Sequence, residues 1–338
     1  MSMRNLLLVL TFSVLLFNEN YIKAEPVPNA DADASLRIKA EQGDAAAQNE
    51  LGIMYANGES MAQDDKQAAF WFRKAAEQGY AKAQLILGLM YSEGQGGMVK
   101  DYKLAASLFR KAAEQGLAIA QYNLGVLYAS GEGVMHDARL AVSWYQKAAE
   151  QGEAIAQNNL GAMFAYGDGV AQDDKQAAFW YRKAAEQGLP TAQNNLGAMY
   201  VKGEGVVQDD KQAVAWYRKA AEQGNAEAQN NLAVMYANGK DMTQDDKQAA
   251  FWFSQAANQD EAIAQFNLGQ MYFNGTGVPQ DYVQAYMWTN LAAAQELEQA
   301  LRVRDSLISV LTPSQIEAGQ KRVRDWIATH PQAVGAIQ

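Results

Sequence analysis

Apolar residues along the chain fall at helical spacing, in short blocks closed by glycine. In residues 189–224, Ala192, Leu196, Met199 and Tyr200 stand at i, i+4, i+7 and i+8, one face of an amphipathic helix. Pro190 opens that block, where its missing N–H does no harm, and Lys202-Gly203 closes it, because glycine takes the left-handed conformation at no steric cost. A second stripe follows in Ala213, Trp216, Tyr217, Ala220 and Ala221. Asp209 with Gln212 three residues on predicts a capping box at its start, and Gly224 stops it. The connection is short, which predicts two antiparallel neighbours. Gly197 and the alanines at the contact predict a close approach of the two helices, with aromatic rings filling the gaps between turns.

The same block is written seven times. A glutamine in the first helix falls at Gln48, Gln84, Gln121, Gln157, Gln193, Gln229 and Gln265, in steps of 36 residues apart from one step of 37. The extra residue lies in the loop at 94–97. Self-similarity at this period predicts a stacked array in which each unit leans on its neighbours. Residues 44–296 hold the seven helix pairs. Residues 25–43 form a leader with Pro26 and Pro28, then a half-repeat that closes the N-terminal end. Residues 297–338 are expected to form a C-terminal helical cap. Within it, Thr312-Pro313-Ser314-Gln315 is a second N-cap signal, and Ile316, Val323, Trp326 and Ile327 share one side of the helix that follows. No glycine occurs in residues 290–298, which predicts a longer second helix in the seventh repeat.

Composition narrows the function classes. The net charge is −10 and there is no cysteine. Arg4 and Lys23 against Glu19 leave +1 in the segment 1–24, so a chain starting at Glu25 carries −11. Such a surface is a poor match to a phosphate backbone or an anionic membrane. Disulfides, thiolate metal sites and cysteine nucleophiles are excluded. Arg4 is the only charge before an apolar run at positions 6–17. That run is too short to span a bilayer and has the length of a signal-peptide core. Residues 1–24 are therefore expected to be a cleaved signal peptide ending at Ala24, and the protein to be periplasmic or secreted.

Several motifs carry possible chemistry. Trp71, Trp144, Trp180, Trp216, Trp252 and Trp288 recur at one repeat position; they could stack sugars or bases, but each lies on the apolar stripe of its helix and is expected in the core. Asp64-Asp65, Asp173-Asp174, Asp209-Asp210 and Asp245-Asp246 are paired carboxylates at helix starts. Adjacent helical residues do not face each other, so helix capping is the expected role. Gly131-x-Gly133 and its equivalents have neither a preceding strand nor a following lysine in register, and are expected to be turns rather than phosphate loops. His136 and His330 are too far apart to assemble a triad or a metal site with other candidates. Arg73/Glu77, Arg110/Glu114, Arg182/Glu186 and Arg218/Glu222 stand at i, i+4 and are expected to be solvated pairs. No catalytic, cofactor or metal residues are assigned.

The pattern A-x-A-Q-x-x-L-G-x-M-Y, then G-x-G-V-x-Q-D, then A-x-x-W-Y-R-K-A-A-E-Q-G resembles the Sel-one-like repeat, a relative of the tetratricopeptide repeat. The clearest copies are residues 154–188 and 191–224. The resemblance implies an all-α fold, a right-handed superhelical solenoid of seven antiparallel helix pairs with terminal capping helices. It also implies work as a scaffold that holds other proteins, with no catalytic residue to carry over. Departures are Leu108 in place of tryptophan, Ala233 in place of the helix glycine, and the loops at Glu59-Ser60 and Lys240-Asp241.

The expected function is an exported, non-catalytic scaffold that binds a protein or peptide partner, with no nucleic acid and no stable membrane insertion once the signal is removed. The alternative is a cell-wall or β-lactam hydrolase, an activity assigned to cysteine-rich secreted relatives; this chain lacks their cysteines and has no S-x-x-K in suitable spacing. In related solenoids the first helix of each pair lines the concave side. The stripe starting two residues before the central leucine varies between repeats, reading Asn49, Leu85, Tyr122, Asn158, Asn194, Asn230 and Phe266. One turn later come Ile53, Leu89, Val126, Ala162, Ala198, Val234 and Gln270. A position free to vary is open to recognition, so Tyr122, Asn158, Asn194, Asn230 and Phe266 are the candidate partner-binding residues.

Overall fold

The computed structural model describes residues 30–59, 61–239 and 243–330. Among these are 17 α-helices and no strand. The chain divides into two compact units, Met1–Trp180 and Tyr181–Gln338, and each is a solenoid of antiparallel helix pairs. In the first unit, α1 (Ala30–Glu41) packs on α2 (Ala45–Asn57), the first helix of repeat one. Then α3 (Asp65–Glu77), α4 (Ala81–Glu93), α5 (Tyr102–Glu114), α6 (Ala118–Ser130), α7 (Ala138–Glu150) and α8 (Ala154–Tyr166) follow, each second helix packing on its own first helix and on the next. In the second unit the same order runs through α10 (Pro190–Lys202), α11 (Asp210–Glu222), α12 (Ala226–Asn238), α13 (Asp246–Ala257), α14 (Ala262–Asn274) and α15 (Tyr282–Ala294). The remaining second helix, α9, spans Asp174–Glu186.

Caps set the helix lengths as the sequence predicts. Asp64, Asp101, Asp209, Asp245 and Asp281 each accept backbone N–H groups at the start of a second helix, so the paired carboxylates are helix caps. The box at Asp209 is half of the one expected. Its carboxylate accepts from the Gln212 N–H at 3.0 Å, but its own N–H donates to the Tyr200 carbonyl at 3.0 Å. The same main-chain bond joins Asp64 to Tyr55, Asp137 to Tyr128, Asp245 to Tyr236 and Asp281 to Tyr272, fixing the angle between the two helices of a pair. The first helices end in a left-handed glycine, Gly203 at φ 71° for α10.

The glycine inside the first helix does what the sequence suggests. A Cβ added at Gly197 would lie 2.8 Å from the Tyr217 ring, so only a hydrogen there lets α10 and α11 come this close. Repeat six has Ala233 at that position, fully buried against Phe253 in the same cluster. The inserted residue of repeat two is absorbed by Gly96 and Gly97, both at positive φ. The variant loops of repeats one and six, at Ser60 and residues 240–242, lie outside the described residues, as do residues 1–29, which include the expected signal peptide, and the tail beyond His330.

Two sequence expectations need correction. The second helix of repeat seven is not longer: α15 ends at Ala294, 13 residues like its counterparts. Glu296 at φ 62° takes the left-handed place that glycine fills elsewhere, and Asp260 at φ 65° does the same in repeat six. The i, i+4 pairs are also different. Among the described residues no ion pair joins those arginines to their glutamates. Arg73 donates instead to the Tyr91 hydroxyl, Arg110 to Tyr128, Arg182 to Tyr200 and Arg218 to Tyr236. Each bond ties a second helix to the first helix of the next repeat.

The recurring glutamine is the polar centre of each repeat. In all seven copies its Nε2 donates to an alanine carbonyl at the end of the preceding helix, from Gln48 to Ala40 through Gln265 to Ala257, at 3.0–3.2 Å. Its Oε1 accepts from a second glutamine at the end of its own repeat, as in Gln78 to Gln48 at 2.7 Å and Gln223 to Gln193 at 2.8 Å. One buried amide thus joins three helices.

After repeat seven, α16 (Glu298–Val310) and α17 (Pro313–Thr329) both pack on α15. Thr312 is the N-cap expected there, with Pro313 in the first turn, and with Gln315 it forms a full capping box. Trp326 packs edge-on against Trp288 at 6.2 Å, Val323 and Ile327 join the same cluster, and Arg322 reaches the Asp281 carboxylate at 3.4 Å.

Replacing Gln193 by Ala removes two hydrogen bonds inside a buried junction. The substitution is expected to destabilise the protein by roughly 1–3 kcal/mol, read as a lower urea midpoint. Ala at the exposed Lys211 should shift it by less than about 0.5 kcal/mol.

Candidate partner-binding surface

The residues expected to face a partner are buried. Tyr122, Asn158, Asn194, Asn230 and Phe266 expose between 1% and 8% of their surface. They lie against neighbouring elements: Asn194 accepts from Asn231 of the next repeat at 3.0 Å, Tyr122 lies 5.9 Å from the Tyr145 ring, and Phe266 packs with Ala292, Ala293 and Ala300. The premise that a varying position is idle in stacking therefore fails. A first helix packs against its own second helix and against the second helix of the repeat before it. Its solvent-reaching stripe is narrow and begins one residue further on, a rotation of about 100°.

That stripe is the candidate surface. In the first unit it carries Lys82, Ile86, Leu89 and Glu93 on α4, then Ala162 and Tyr166 on α8, of which Tyr166 is more than half exposed, whereas Asn159 is buried. In the second unit it carries Thr191, Asn195, Ala198 and Lys202 on α10, Glu227, Asn231, Val234 and Asn238 on α12, and Ile263, Asn267, Gln270 and Asn274 on α14. The row Ile53 to Gln270, named from the sequence as the next turn, does reach solvent from Leu89 onward, while Ile53 is buried. In the second unit Lys202 and Glu227 are the only charges on the stripe; the rest are amides, a hydroxyl and apolar groups. The same position holds asparagine in five repeats, at Asn123, Asn159, Asn195, Asn231 and Asn267, and is buried in the first two of these, so the amides alone do not mark the phase.

The tryptophans divide. Trp71 and Trp288 are buried, while Trp144, Trp180, Trp216 and Trp252 are half-buried at the core edge. The Lys147 ammonium sits 3.9 Å over the Trp144 ring and that of Lys219 4.0 Å over Trp216. Phe70 and Phe179 stand edge-on to Trp71 and Trp180 on the exposed side of their second helices. Lysine over an indole face competes with any sugar or base for it.

A polar knot lies under the first-helix surface in the first unit. Burial pushes the Tyr122 and Tyr145 hydroxyls up, and both bond to Asn159. Burial also raises the Glu153 carboxyl, with Glu153 the second influence on Tyr122. These are packing consequences; no acid–base pair is assembled. Among the described residues no cluster of three potential metal ligands occurs, and no helix is long and apolar enough to cross a membrane.

Stacked two-helix units with a shared polar centre define a helical-repeat protein. A family model described as Sel1 repeat matches residues 45–80, 81–117, 118–153, 154–189, 190–225, 226–261 and 262–297, and the chain belongs to the Sel1 repeat family. The family consists in general of non-catalytic scaffolds for protein interactions. A Sel1 repeat protein from Oxalobacter formigenes is similar over 82% of this chain and 80% of its own, with 38% identity and a TM-score of 0.67. A protective antigen of uropathogenic Escherichia coli strains with the same repeat fold is similar over 90% of this chain and 81% of its own, with 29% identity and a TM-score of 0.56. No protein with a curated description matches the chain.

The raised Glu153 carboxyl has a definite pH signature. Its folded pKa lies above its unfolded value, so the folded state holds the proton more tightly. The stabilisation is complete below the ordinary carboxylate range and is lost as pH rises through the raised value. Glu153→Gln is expected to flatten part of the fall in urea midpoint between about pH 4.3 and pH 7. An unchanged slope would mean that Glu153 is fully solvated in the folded chain.

Proposed function

We propose that the protein is an exported, non-catalytic scaffold that holds a protein or peptide partner against the solvent-reaching stripe of its first helices. The observation that carries this reading is the contrast between the two faces of those helices. The inward face repeats the same glutamine, leucine and glycine in nearly every unit, whereas the outward stripe changes, as in Thr191, Glu227 and Ile263 at one position. A surface that differs from repeat to repeat along a stack presents an ordered set of contacts, and family membership supports the same role. Export rests on the apolar run at 6–17 and on Ala24.

Mass spectrometry of the protein from its producing cell is expected to show a mature chain beginning at Glu25; soluble protein retaining Met1 would end the export claim. The mature chain should capture a partner from envelope or extracellular fractions. Tyr166→Ala and Ile263→Ala are each expected to weaken capture about tenfold or more, as anchors at interface centres do. Phe70→Ala, on a second helix, should leave it unchanged. The reverse pattern would place the partner on the second helices. Turnover of a chromogenic β-lactam, lost after heat denaturation, would overturn the non-catalytic part.

A further inference from the structure

Between the first helices of repeats six and seven, α12 and α14, lies a depression of about 370 Å³. Its floor is apolar: Phe253 and Met271 are buried there, and Val234 and Ala237 form one wall. Its rim is built from side-chain amides. Asn238, Gln270 and Asn274 are exposed, Asn267 is half-buried, and no side chain of the four hydrogen-bonds to another described residue. The one carboxylate in the lining, Asp246, already accepts the Gln244 amide at 3.0 Å.

From this arrangement we propose that the depression binds an extended, uncharged peptide segment of a partner protein. One large apolar side chain enters the floor, and the rim amides hold the main chain on either side of it. A primary amide carries donors and an acceptor in one planar group, matching a peptide unit, which also offers one of each. Asn267, Gln270 and Asn274 stand at i, i+3 and i+7, so they mark a line about 10 Å long on α14. An extended chain covers that length in about three residues, enough for an anchor and the peptide units flanking it. The volume lies near the lower end of binding pockets; it suits one side chain and is too small for a docked helix. Charge selects the same occupant. A basic segment would find a single carboxylate that is already engaged, and an acidic one would meet a chain of net charge −10 with no cation in the lining. The proposal rests on the first-helix surface being the docking face and adds the chemical class of what docks there.

The test is selection of a random nonapeptide library, displayed on beads, against the full mature chain. In parallel it is selected against the variant Asn238→Ala/Gln270→Ala/Asn274→Ala. All three positions are exposed, so the variant should keep the parent's helical circular dichroism and urea midpoint. Enriched sequences are expected to be uncharged around one large apolar residue. N-methylation of the peptide nitrogens beside that residue, or use of the triple variant, should each weaken binding about tenfold, the loss of roughly 1.4 kcal/mol of hydrogen bonding. Enrichment of charged sequences, equal enrichment on the variant, no enrichment at all, or self-association of the chain that the variant abolishes would each overturn the proposal. If the library fails while partner capture still depends on Tyr166 and Ile263, this inference alone falls and the scaffold reading stands.

Discussion

The structure depends on a buried glutamine amide that must satisfy three helices at once. A helix end leaves carbonyls without partners, and a stack of helix pairs would bury one such end at every junction. The first-helix glutamine donates to that carbonyl and accepts from the glutamine at the end of its own repeat. Apolar contact is non-directional and would tolerate small slips of one helix along another; a pair of hydrogen bonds with fixed geometry does not. The close approach at Gly197, one turn after Gln193, holds only in that register. The Arg–Tyr bonds on the outside and the Asp–Tyr main-chain bonds inside each pair repeat the same alignment at its two edges.

Much of the fold is legible because the sequence states it seven times. The period, both helices of each pair, the aspartate caps and the close approach at the helix glycine all appear as recurring residues with one physical use each. The glutamine reads only as a marker of register, since periodicity shows where apolar residues point and is silent on a polar residue that is buried. A second recurring glutamine, at Gln78, Gln115, Gln151 and Gln223, is the available sign of a partner. Glu296 misleads for a different reason. A helix stop is read from glycine, yet here an acidic residue accepts the left-handed conformation, at a cost of order 1 kcal/mol. At Asp260 two hydrogen bonds accompany it, from Gln265 and Gln295 to its carboxylate.

The surface is less legible than the core. Variation between repeats is not a mark of solvent: Tyr122, Asn194 and Phe266 vary because each fits a different neighbour. A helix in contact with three others keeps only a thin line free, and an error of one residue turns a side chain from water into the interior. The line that does reach solvent is poor in charge in the second unit, although one residue in five of the whole chain is charged. Charge is concentrated elsewhere, on the second helices and loops, where it does not constrain what the first helices present.

The contacts between consecutive repeats also give the array a reading order. Asn194 is made for Asn231, and Tyr122 for Asn159. Where the outer tyrosine of repeat four is replaced by Phe164, the arginine that would face it is replaced too, by Gln146, which bonds within its own helix to Glu150. The units look interchangeable in outline but carry complementary edges, like numbered links rather than identical beads. Recombination that exchanged them would keep the helices and the shared glutamine bonds but mismatch joints built on particular pairs such as Asn194 with Asn231. The length of such a protein can therefore drift only where two edges happen to agree, and the sequence of surfaces it displays is inherited as a whole.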